Sequence, residues 1–128
     1  MPHLVLENGV DWQVVAAGLQ PQVVRWGRAV LKTSKPWVRA DGQALLVEGV
    51  VVEFSRPLRP VAMMAPHHEN TVVRLWYPVA VERTRAVQRW LALLAARVQH
   101  LGAGPLVATN LAEDLWADLD LRLGDRFR

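Results

Sequence analysis

The sequence predicts an α+β domain, a mainly antiparallel sheet of four to six strands with a long helix near residues 82–101 and a shorter one near 21–32 packed on it. Three observations carry this. Val87, Leu91, Leu94, Val98 and Leu101 follow one another at steps of four, three, four and three, which is an apolar helical stripe. QALLVEGVVVEFS, residues 43–55, is rich in β-branched residues and too apolar for a strand with one wet face, so it belongs at the centre of a sheet. NTVVRLWYPVAV, residues 70–81, alternates Val73, Leu75, Tyr77, Val79 and Val81 with Arg74 and Trp76, the period of a half-buried strand.

The first element is a hairpin. Asn8-Gly9 lies between two apolar runs and suits the positive φ angles of a type I′ turn, and beyond it Val10, Trp12 and Val14 alternate with Asp11 and Gln13. The competing reading makes Asp11 the N-cap of a helix running through Val15 and Leu19. Pro21 is suited to the first turn of a helix, with Val23, Val24, Val30 and Leu31 on one face and Arg25, Arg28 and Lys32 on the other. Gly27 is a poor residue for the middle of that helix, by about 1 kcal/mol against alanine.

KTSKPWVRADGQ, residues 32–43, carries Ser34, Pro36, Asp41 and Gly42 and reads as a linker. Within the central run Gly49 marks a bulge, a bend or a tight turn. Pro78 has no N–H for a ladder, so the strand before it lies at an edge there or ends. The long helix has Glu82 near its start and Gly102 where a left-handed cap belongs. Arg83, Arg85 and Arg89 oppose its macrodipole, so local stability did not select them. A short strand is expected at Leu106–Thr109, then a helical turn through Leu115 and Trp116 opened by Asn110 and Glu113, then an extended segment at 119–123. The element order is similar to ferredoxin-like folds, and a long helix across a bent sheet is similar to helix-grip domains; both are likenesses of shape and imply no activity.

A length of 128 residues suits a single domain over 1–128. With no cysteine, disulfides, thiolate metal sites and cysteine nucleophiles are excluded. No run of 18 apolar residues and no basic-then-apolar leader is seen, which sets the expectation of a cytoplasmic protein with no membrane partner. Thirteen of the 15 basic residues are arginine. Residues 56–100 hold seven basic and two acidic side chains, whereas 101–128 hold three and five. The basic middle is therefore expected to contact the acidic tail, within a monomer or across a dimer, with attraction of an anionic partner as the alternative.

Candidate chemistry centres on SRPLRPVAMMAPHHEN, residues 55–70, read as a long proline-stiffened connection. His67, His68 and Glu69 are the one cluster of metal-capable groups, but adjacent histidines on an extended segment point opposite ways, so no metal or cofactor is assigned. The expected function is a small non-enzymatic binding module, homodimeric, with the 55–70 loop and the basic middle third as its contact surface. The candidate binding residues are Arg56, Arg59, Met63, Met64, His67, His68, Arg74, Trp76, Arg85 and Arg89. Two alternatives stand beside it: nucleic-acid binding through an arginine-rich face, with Arg74-Leu75-Trp76 as the stacking candidate, and a small acid/base or metal-dependent enzyme using His67, His68 and Glu69.

Overall fold

The computed structural model describes residues 1–127. Eight strands and two helices follow in the order β1 (His3–Leu6), α1 (Trp12–Gly18), β2 (Gln22–Trp26), β3 (Ala29–Val38), β4 (Leu45–Glu53), β5 (Arg56–Leu58), β6 (Val61–His67), β7 (Asn70–Leu75), α2 (Arg85–His100) and β8 (Leu106–Thr109). The strands form one antiparallel sheet, ordered β2-β3-β4-β6-β7-β1-β8, with β5 paired to the far end of β4. The sheet curves into a half-barrel, and the long helix lies across its inner face. The ferredoxin-like order of elements does not form.

The α+β class and the long helix stand, while the strand number rises from the expected four to six to eight. The helix expected near 21–32 is replaced by the β2–β3 hairpin, with Trp26 paired to Ala29 across Gly27-Arg28. Gly27 has φ +57°, as the first position of a two-residue II′ turn requires, so a residue that weakens a helix supplies the turn instead. The hairpin expected around Asn8-Gly9 also gives way. Asp11 caps α1, its carboxylate accepting from the amides of Gln13 at 3.0 Å and Val14 at 3.4 Å, and Trp12 and Val15 are buried.

Residues 32–38, read as linker, continue β3. The strand absorbs Pro36 through a register shift between Thr33, opposite Gly49, and Pro36, opposite Val47. Residues 55–70 are not a long loop either: β5 and β6 occupy most of them, and His67 pairs with Asn70 across a tight turn in which His68 has φ +55°. The strand over 70–81 ends at Leu75, before Pro78, and leaves Tyr77 exposed. Beyond β8, Glu113–Leu115 forms a 3-10 turn with no side-chain cap, so the expected role of Asn110 is not realised. Residues 119–123 form no named strand and reach the sheet through one bridge, Leu123 to Leu106.

The core lies between α2 and the inner sheet face. Val87, Leu91, Leu94 and Val98 are buried there against Leu4, Leu31, Val47, Met64 and Val73. Trp90 anchors the contact: its indole N–H donates to Thr33 Oγ1 at 3.0 Å, and its ring fills the space over Gly49, where an added Cβ would stand 2.5 Å from ring atoms. Thr84 caps the helix, its hydroxyl accepting from the Val87 amide at 3.1 Å. No helix is long and apolar enough to cross a membrane among the described residues.

Candidate interaction surface

Strand alternation fixes which side chains leave the core. In β4, Leu45, Val47, Gly49 and Val51 point inward and are buried, so Leu46, Glu48, Val50 and Val52 point outward. The pairing then lays these outward positions on a grid. Trp37 stands opposite Leu46, Leu46 opposite Met63, Met63 opposite Arg74, and Arg74 opposite His3, giving one row across β3, β4, β6, β7 and β1. The adjacent row toward the β6–β7 turn holds Ala65, Val72, Val5 and Ala108. On the other side lie Glu48 and Val61, with Trp76 beside them, its backbone N–H donating to the Val61 carbonyl at 2.8 Å.

Antiparallel sheets with one wet face ordinarily turn polar side chains outward. This face departs from that rule, because Val5, Leu46, Val61, Met63, Ala65 and Val72 form its centre and none lies beneath α2. Two hollows meet at Met63. One, of ≈ 280 Å³, is walled by Trp37 and Trp76 over Leu46 and Met63, with Arg39 at its rim. The other, of ≈ 390 Å³, lies between His3, Val5, His67, Val72 and Arg74. Trp37 is 66% exposed, which is unusual for so large an apolar ring and identifies it as a wall rather than a core residue.

The sequence-predicted residues divide. Met63, Arg74 and Trp76 come together on this surface, with His67 at its border. Arg59 is exposed beside Glu48 and Val61. Met64 alternates inward and is fully buried. His68 sits in the β6–β7 turn, its ring 4.7 Å from that of His67 and edge-on to it. Among the described residues, no three metal-capable side chains gather.

The remaining arginines are engaged elsewhere. Arg56 pairs with Glu82 and Arg85 with Asp114. Arg89 is 7% exposed and lies on the inner side, held by Asp118 Oδ1 at 2.5 Å, Asp118 Oδ2 at 3.1 Å and the Leu115 carbonyl at 3.1 Å, with the Trp26 ring 5.6 Å away. The basic middle therefore contacts the acidic tail inside one chain. The hydrogen bond from Arg89, with its positive charge, holds the Asp118 carboxyl below its ordinary pKa. Arg28 lies over Phe54 at 5.8 Å, remote from the Met63 row. Of the arginines available for a nucleic-acid face, Arg56, Arg85 and Arg89 are thus held in ion pairs.

Sequence reading missed Trp37, Leu46, Glu48 and Val5 as residues of the outer face, and Val72, which points to that side although it is buried between its neighbours. The available signal was the excess of apolar residues at both parities of residues 43–55, which was read as burial on two faces when one face is open. In comparisons with known proteins, no family model, no curated protein and no solved structure matches the chain.

Proposed function

We propose that the protein is a non-enzymatic interaction module that works through the outer face of its sheet. The supporting observation is the row Trp37, Leu46, Met63 and Arg74, apolar at its centre and, among the described residues, uncovered by either helix. Covering apolar surface contributes about 25 cal/mol per Å², so every 100 Å² hidden by a partner is worth about 2.5 kcal/mol before the costs of association. Contiguous apolar patches of this kind mark contact sites. The contact surface shifts from the whole 55–70 segment to the outward half of β6 and its neighbours, because alternation commits Ala62 and Met64 to the core.

The test compares adjacent methionines. At nanomolar protein, dilute enough to keep associated forms apart, an apolar fluorescent dye is expected to bind the folded chain. Met63→Glu should reduce that binding about tenfold with the melting temperature held within a few degrees, whereas Met64→Glu should unfold the protein. Unchanged dye binding in Met63→Glu, or a loss of stability as severe as that of Met64→Glu, would refute the reading.

A further inference from the structure

We infer that the occupant of the outer face is a second copy of the chain, docked face to face about a two-fold axis that runs past Met63 and Val61. The inference rests on the outer face being the contact surface, and it follows from where two charges stand. Glu48 on β4 and Arg74 on β7 both point outward within the apolar region, and among the described residues neither has a hydrogen bond or ion pair. They are two strands and one row apart, about 12 Å between Cα atoms from strand spacing and rise. Covering the face with a neutral apolar partner would bury both charges unpaired, which costs several kcal/mol. A cation-only or anion-only partner would satisfy one and oppose the other.

A second copy satisfies both. A two-fold axis in the plane between the sheets, crossing midway between Glu48 and Arg74, brings each Glu48 over the other copy's Arg74, so the pair forms twice. On the register grid the same axis passes close to Leu46, Met63, Val61 and Trp76, which then meet their own counterparts or each other. It also carries Trp37, the most exposed side chain of the row, onto the position of the second copy's Ala65, a large ring over a small residue. Face-to-face sheets stand about 10 Å apart, a gap that extended Arg and Glu side chains span. Arg25 and Lys32 lie toward the β2–β3 margin, and Arg59 borders a hollow shared with Glu48. A standard interface takes about 800 Å² from each partner, about a ninth of the 7039 Å² surface.

Sedimentation equilibrium over a nanomolar to high-micromolar range tests this with four proteins. The native chain is expected to move from monomer to dimer. Glu48→Arg and Arg74→Glu should each weaken the dimer at least tenfold, because each places like charges together twice. The double variant carrying both changes should return to within about threefold of the native affinity. Circular dichroism checks that all four are folded, as expected for exposed or half-exposed positions. A native chain that stays monomeric at high micromolar, or a double variant as weak as the singles, overturns the inference. If dye binding and its loss in Met63→Glu hold while the native chain remains monomeric, the contact surface stands and only the second copy is removed.

Discussion

At the scale of single residues, the clearest determinant is the space over Gly49. The Trp90 ring occupies the volume a side chain would take, and Thr33 accepts the indole proton, so residues 33, 49 and 90 specify one another. Gly49→Ala is expected to cost about 1–3 kcal/mol, the usual range for overpacking a close-packed core, read from the urea midpoint at unchanged slope. Asp118 gives a second prediction, with its sign fixed by linkage. Its pKa is lowered in the folded chain by Arg89, so its contribution is present in full above the ordinary aspartate pKa and disappears as pH falls through the lowered value. Asp118→Asn should therefore be less stable than the native chain at neutral pH, and the two should converge in acid; a difference that stays constant with pH would exclude the ion pair as its source. The sequence suggested that Gly49 had a positional meaning and that the basic middle would meet the acidic tail. It did not say that Trp90 was the reason for the glycine, because a ring 41 residues away leaves no local trace.

At the scale of elements, legibility followed how many side chains reported the same period. The long helix was plain because its buried residues repeat over four turns, and the structure trims it only at the ends, to Arg85–His100. Residues 21–32 were ambiguous because Val23, Val24 and Val30 fit one helix face and also two paired strands, and β-branched residues favour the latter. What decided it was Gly27, unfavourable in a helix and required at φ +57° in the turn. Replacing it with valine should cost about 1–2 kcal/mol from the left-handed backbone alone, measured by thermal unfolding. The first helix is short, so its cap matters more than its sequence propensity. Asp11→Ala should cost about 1 kcal/mol by removing the acceptor of two amide protons, and Asp11→Asn should recover most of it. A smaller loss in Asp11→Ala than in a substitution at exposed Gln13 would contradict that role.

At the scale of the whole molecule, the candidate surface exists only after the sheet is assembled. Met63 and Trp76 were visible in the sequence as residues near arginine, but Trp37, Leu46 and Val5 become their neighbours through pairings across four strand boundaries. An outward valine and an inward one look alike in a strand of valines; the register alone separates them. The order of strands has another consequence, which concerns time. β1 lies between β7 and β8, with Leu4 opposite Val73 on one side and Thr109 on the other. The first strand made is thus the one that needs the two latest arrivals. At about 5–20 residues per second of synthesis, Leu4 and Leu6 leave the ribosome and then wait several seconds or more for the segments that will shield them. Until β7 and β8 arrive the half-barrel lacks one side, and both edges of β1 stay unpaired for that interval.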